Sequence, residues 1–243
     1  MENDTEHSSI LLQNFDMTSI TKEVICLSPP LKLKNHSESS SSQPAFLLRN
    51  CLTREECKGL INLAENKKKG LFTQTLVNIE GEDVINKDVR SGSRYILDSE
   101  AIVSQLWTRI SPHIPPFLKG AVVTGLNERL RFLRYEPGQK FVPHYDGTYA
   151  RESDPLEVSL VTLQIYLNDN FDGGETNFLG DDDDDDDQDC DPEKVSVTPE
   201  TGMILVFEQD LMHEGALIRD GVKYTVRTDV MYSYSKKSGG LVL

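Results

Sequence analysis

His144 and Asp146 lie two residues apart, and His213 follows much later in the chain. Two imidazoles and one carboxylate can occupy one triangular face of an octahedral metal. Three positions then stay open, which suits Fe(II) with an organic co-substrate and O2. If the three side chains are to meet, the fold must set the segment near residue 144 beside the one near residue 213. In Phe141-Val-Pro-His144-Tyr-Asp146 an extended backbone points residues i and i+2 to the same side, so both can reach one ion. His213 follows the apolar run Met203 to Phe207 and would supply the third ligand from across a sheet. Each piece alone is weak, since His-x-Asp pairs arise by chance; their combination carries the reading. His7, His36 and His113 have no acidic or His partner at ligand spacing.

The rest of the chain predicts an α+β, mainly β, architecture. Residues 1–43 read as a weakly ordered tail, ending in the polar linker Ser37-Glu-Ser-Ser-Ser-Ser-Gln-Pro44. A single domain over 44–243 follows, with an acidic insertion at 180–193. Ala45-Phe-Leu-Leu48 is a short apolar strand. Thr53 with Glu56 forms a capping box for a helix to about Lys68, with Cys57, Leu60, Ile61 and Ala64 as its buried stripe. Residues 71–80 read as one strand. Asp98 or Ser99 caps a second helix to about Ile110, terminated by Pro112, Pro115 and Pro116. After Leu126 come short β-rich runs at 129–135, 158–168, 195–197, 203–208 and 223–234. Two helices followed by many short strands suggest a sandwich or jelly roll with the helices packed outside.

Charge limits the partners. The chain has 25 basic and 40 acidic residues, a net charge of −15. Residues 181–194 alone hold nine Asp, one Glu and one Lys. Such a surface repels phosphate backbones, which argues against nucleic acid. The insertion reads first as a solvated loop; alternatives are steering of a basic protein substrate or loose Ca2+ binding. Cys26, Cys51, Cys57 and Cys190 form no CxxC pair or disulfide framework. No run of eighteen apolar residues predicts a membrane helix, and the polar start MENDTEHSS does not read as a signal peptide. The expected setting is intracellular, cytoplasmic or nuclear.

The segment Gly221 to Tyr232 predicts a strand with split faces. Tyr224, Val226, Val230 and Tyr232 share one face; Lys223, Thr225, Arg227 and Asp229 share the other. Thr162, Gln164 and Tyr166 line one face of 158–168 in the same way. A buried Lys or Arg needs an anion: a bound dicarboxylate, or a salt bridge to Asp229 or Glu175.

Tyr135-Glu-Pro-Gly-Gln-Lys-Phe-Val-Pro-His144-Tyr-Asp146, Tyr166-Leu-Asn168, Gly173-Gly-Glu-Thr176, His213-Glu-Gly and Lys223-Tyr together resemble the prolyl 4-hydroxylase branch of the 2-oxoglutarate- and Fe(II)-dependent dioxygenases. The resemblance covers about 45–235 and implies a double-stranded β-helix core. It implies that His144, Asp146 and His213 bind Fe(II) and that Lys223 binds the distal carboxylate of 2-oxoglutarate. It sets Tyr135 and Tyr166 beside the co-substrate. Arg227, on the same face as Lys223, is the alternative carboxylate ligand. Gly173 and Gly174 look like a tight approach before the next strand. The implied reaction uses O2, releases succinate and CO2, hydroxylates an unactivated C–H bond of a prolyl residue in a protein or peptide, and takes L-ascorbate as reductant. The same chemistry on a free amino acid or other small molecule, and a catalytically silent β-helix that binds proteins, are the other readings.

Overall fold

The computed structural model of the chain describes residues 10–11, 15–27, 31, 45–66, 72–75, 77–79, 82–84, 90–180 and 194–235. The acidic insertion beyond Gly180, the linker before Pro44, His7, His36 and Cys190 lie outside them.

Two sheets face each other. The larger runs in the order Thr21–Val24, Ala45–Arg49, Ile204–Glu208, Asp154–Tyr166, Lys223–Ser233, Arg129–Tyr135, Ser93–Asp98 and Thr73–Gln74. The smaller has four strands, Phe141–His144, His213–Gly215, Thr176–Leu179 and Lys194–Val197. Alternation along the central strands decides which residues face which layer. Phe46, Leu48, Leu163, Ile165, Ile204, Val206, Val226, Val230 and Tyr232 turn outward into a core shared with the helices. Ala45, Leu47, Tyr166, Leu205 and Phe207 turn inward and meet Phe178 and Val197 of the smaller sheet. This is the jelly roll with external helices that the strand pattern predicts.

Helix α1 spans Arg54–Glu65 and helix α2 spans Glu100–Ile110. The capping box at Thr53 and Glu56 is present. Glu56 also meets Arg109 of α2 through two contacts, Oε1 to Nη2 at 2.7 Å and Oε2 to Nη1 at 3.2 Å, both side chains being buried. Arg109 further donates to the Cys51 carbonyl at 3.0 Å. One carboxylate therefore caps α1 and fastens it to α2. Cys51 and Cys57 are buried thiols in the same core, without a disulfide.

Several boundaries differ from the sequence reading. The helix predicted to Lys68 ends at Glu65, where Asn66 turns extended. Ser99 caps α2, because Asp98 is still in a strand. The single strand predicted over 71–80 is two, broken at Thr75, whose backbone N–H and hydroxyl both bond the Gly92 carbonyl. Strands Ser93–Asp98 and Ala121–Leu126 lie outside every run that the sequence marks as β. Order also begins before residue 44. Thr21–Val24 pairs antiparallel with Ala45–Arg49, and Leu11, Ile20, Leu27 and Leu31 are buried. These residues fall in short apolar clusters too brief to set a period, and only the completed fold reveals their partners. Among the described residues no helix is long and apolar enough to cross a membrane.

Candidate active site

His144 ends the strand Phe141–His144 and stands directly opposite His213 in the antiparallel ladder. Pairing of the two strands thus brings the imidazoles together, with ring centroids 4.3 Å apart. Asp146 lies just past the strand end rather than within it, and its backbone N–H is fixed on the Gln209 carbonyl at 3.1 Å. Its Oδ1 is 3.8 Å from His144 Nε2, and its Oδ2 is 3.8 Å from His213 Nε2.

Backbone carbonyls set the tautomers. His144 Nδ1 meets the Val142 carbonyl at 2.8 Å, and His213 Nδ1 meets the Leu211 carbonyl at 3.0 Å. A carbonyl can only accept, so each Nδ1 donates and each Nε2 keeps its lone pair. Burial, together with His213, holds the His144 imidazole at about 3, and burial also lowers His213. Both rings are therefore neutral near pH 7. Burial opposes ionisation of Asp146, but Arg227, His213 and the Thr162 hydroxyl outweigh it and lower its pKa. Two neutral imidazoles and one carboxylate, with ligand atoms within 4.8 Å of one another, fit a divalent ion.

The triad forms part of the lining of a cavity of about 580 Å³, its open mouth included. Lys223 also lines it, buried, and donates to the Gly174 carbonyl at 2.6 Å. Burial lowers the ammonium to about 8. Thr225, two residues on along the same strand, has a buried hydroxyl without a hydrogen-bond partner among the described residues. Among the described residues no carboxylate is within ion-pair distance of this ammonium, although Glu175 acts on it from further off; a buried ammonium near an unsatisfied hydroxyl fits an anionic guest. Tyr135 stands opposite Lys223 in register and lines the cavity. Tyr166 is fully buried; its hydroxyl is 2.8 Å from Thr176 Oγ1, and the Lys223 ammonium lies 5.4 Å from its ring centre. Arg227 also lines the cavity, but its Nη1 is 3.0 Å from Asp146 Oδ1 and its Nη2 is 3.3 Å from Asp229 Oδ1. The salt bridge to Asp229 weighed for these two cations thus belongs to Arg227.

Gly173 and Gly174 both have positive φ, +79° and +68°. A Cβ on Gly173 would run into the Leu217 carbonyl oxygen. The close approach is real and holds the Gly174 carbonyl against Lys223. Gly173→Ala is expected to cost more than about 1 kcal/mol, because Ala resists positive φ and cannot clear a backbone oxygen; a shift in the denaturation midpoint measures it.

Arg90, Phe141 and Thr176 are among the lining residues that had no role in the sequence reading. Arg90 stacks its guanidinium 4.4 Å from the Phe141 ring centre, and Phe141 in turn stacks on His144 with centroids 3.5 Å apart. Phe141 and Thr176 sit inside quoted motifs, so their position was available; Arg90 lies in a stretch without periodicity.

Residues 130–228 match the family model of the 2OG-Fe(II) oxygenase superfamily. Its relatives are named as hydroxylases. Probable prolyl 4-hydroxylase 8 of Arabidopsis thaliana is 34% identical over 143 residues, 55% of this chain and 44% of that protein. Probable prolyl 4-hydroxylase 10 of the same plant is 29% identical over 234 residues, 86% of this chain and 77% of that protein. This chain spans about half the length of several curated relatives it matches, including 57% of Probable prolyl 4-hydroxylase 3. A Trichoplax adhaerens prolyl hydroxylase, solved with a hypoxia inducible factor oxygen degradation domain peptide, superposes with a TM-score of 0.56 at 17% identity, covering 77% of this chain and 83% of that one. A Pseudomonas putida prolyl-4-hydroxylase gives 0.52 at 16% identity, covering 79% and 94%. The fold shared with these structures is the double-stranded β-helix, and in sequence the chain is similar to prolyl 4-hydroxylases.

Proposed function

We propose that the chain is an Fe(II)- and 2-oxoglutarate-dependent dioxygenase that hydroxylates prolyl residues of a protein or peptide, releasing succinate and CO2. One observation carries the reading: His144, Asp146 and His213 converge in a cavity whose lining includes the buried ammonium of Lys223. In this reading His144, Asp146 and His213 hold Fe(II). Lys223 takes the distal carboxylate of 2-oxoglutarate, with Tyr135, Tyr166 and the Thr225 hydroxyl around it. The bound iron supplies activation of O2 beside the target C–H bond. The chain's own residues do the rest. Val142 and Leu211 carbonyls fix the imidazoles, Gly174 fixes the ammonium, and Leu133, Phe141, Phe207 and Ile218 shield the interior from water. L-Ascorbate is the reductant in this scheme. Peptide substrates are supported by the peptide held by the Trichoplax relative. An intracellular setting accords with the buried thiols Cys51 and Cys57.

The test is turnover. Purified protein with Fe(II), ascorbate, 2-oxoglutarate and proline-containing peptides is expected to form succinate together with a +16 Da mass on proline. Succinate with oxygen found only on a free amino acid would move the reading to a small-molecule hydroxylase. No succinate with any substrate would leave a binding module.

Lys223→Ala is expected to weaken 2-oxoglutarate binding by about 2–3 kcal/mol, on the order of 30- to 150-fold, as loss of one partner in a buried charge pair does. With the wild-type ammonium at about 8, the charge is present before the dicarboxylate arrives at lower pH. Above pH 8, binding must also recruit a proton, so affinity is expected to fall by up to about tenfold per pH unit. Lys223→Arg should abolish that slope; titrations at pH 7 and pH 9 decide it.

A further inference from the structure

Two cations face the cavity from the strand Lys223–Ser233, and they do not do the same work. They stand four positions apart on an extended strand, roughly 13 Å of backbone at about 3.3 Å per residue. Lys223 points at a carbonyl. Arg227 spreads its fork between two carboxylates, Asp146 at 3.0 Å and Asp229 at 3.3 Å. Asp229 is itself buried and clasped from other sides, by Arg131 Nη1 at 2.9 Å and by Gln209 Nε2 at 3.2 Å. Gln209 accepts from the Ser159 hydroxyl at 3.1 Å, and its backbone carbonyl holds the Asp146 N–H. The second Asp146 oxygen takes the Thr162 hydroxyl at 2.6 Å. The result is an alternating row, Asp146, Arg227, Asp229, Arg131, whose last three members sit on two neighbouring strands of the larger sheet, with Thr162 holding Asp146 from a third.

Resting on the metal reading of the site, we propose that Arg227 is a positioning residue for the metal-binding carboxylate and not a ligand of the co-substrate. It clamps Asp146 in the orientation the ion needs and passes the load through Asp229 to Arg131 and Gln209. A guanidinium suits this task because its planar fork can serve two carboxylates at once, which an ammonium cannot do with fixed geometry. Two effects oppose each other when it is removed. Loss of a nearby cation removes a repulsion and would tighten metal binding. Loss of the clamp lets a carboxylate swing and loosens it. Partners that orient metal ligands cost ten- to a hundred-fold in metal affinity when mutated, so the clamp is expected to win by about that factor.

The experiment titrates Co(II), a spectroscopic stand-in for Fe(II), into wild type, Arg227→Gln, Arg227→Lys, Asp229→Asn, Lys223→Ala and His213→Ala. Visible absorption follows the metal, and 2-oxoglutarate affinity is measured on each Co(II)-loaded protein. Arg227→Gln should lose about ten- to a hundred-fold in Co(II) affinity and shift the absorption band, with 2-oxoglutarate affinity kept within about twofold. Asp229→Asn should move in the same direction. Lys223→Ala should show the reverse pattern. If Arg227→Gln does not fold, Arg227→Lys gives the reading, since a lone ammonium should still shift the band and lose up to about tenfold. Wild-type Co(II) affinity and band in the Arg227 variants, tighter Co(II) binding, or a loss confined to 2-oxoglutarate would each overturn the inference. Wild type that binds Co(II) no better than His213→Ala would overturn the metal reading and this inference with it.

Discussion

His213→Ala is expected to abolish metal-dependent turnover and to lower metal affinity by more than about a hundred-fold, beyond what loss of an outer-shell partner costs. Three donors define the site, and a His–Asp pair alone leaves a divalent ion mostly in water. The fold itself should tolerate the change. His213 lies in the short strand His213–Gly215, whose ladder bonds are made by backbone, and Phe178 and Phe207 rings already surround the imidazole at 6.4 and 4.7 Å between centroids. A thermal midpoint near that of the metal-free wild type, alongside absent succinate formation, is the expected pair of results. Turnover that survives in the variant would remove the triad from the chemistry.

The largest loss of stability is expected far from the cavity, at Glu56→Ala. Glu56 completes the cap of α1 through the Thr53 N–H at 2.8 Å and neutralises Arg109, whose guanidinium is buried and also stacks 3.9 Å from the Phe15 ring centre. Truncation removes the carboxylate that neutralises this cation in the core. Breaking a buried pair by removing one partner costs about 3–5 kcal/mol, which for a chain of this size lowers the thermal midpoint by about 6–20 °C. Glu56→Gln keeps the shape and an acceptor for the cap, so it should fall between the two; thermal unfolding of the three proteins gives the order. Equal midpoints for Glu56→Ala and wild type would show that water reaches Arg109.

Much of the site was legible in the chain because its signals are local. The His-x-Asp spacing, the split faces of Lys223 to Asp229 and the Gly-Gly pair are all short-range signals, and the structure brings His144, Asp146, Lys223 and Arg227 to one cavity, although Asp146 reaches it from just past the strand end. What stayed hidden depends on where distant segments land. Arg227 and Lys223 share a face, and alternation alone makes them equal candidates for an anion. Their surroundings differ only once the chain is folded, Arg227 between Asp146 and Asp229 and Lys223 on the Gly174 carbonyl. Thr21–Val24 is all exposed and carries a single large apolar residue, Val24, so nothing in its composition announces a strand until Ala45–Arg49 offers an edge to pair with. The break at Thr75 likewise depends on one remote carbonyl, that of Gly92.

The strands on either side of the acidic insertion, Thr176–Leu179 and Lys194–Val197, pair with each other directly, Leu179 opposite Lys194. The two ends of the insertion are therefore pinned side by side by the sheet, whatever joins them. Closure entropy rises only by about 0.6 kcal/mol for each doubling of a flexible connection. Lengthening or shortening this segment therefore carries little entropic penalty for the sheet, even though its flanking strand Thr176–Leu179 pairs on its other side with the strand that carries His213.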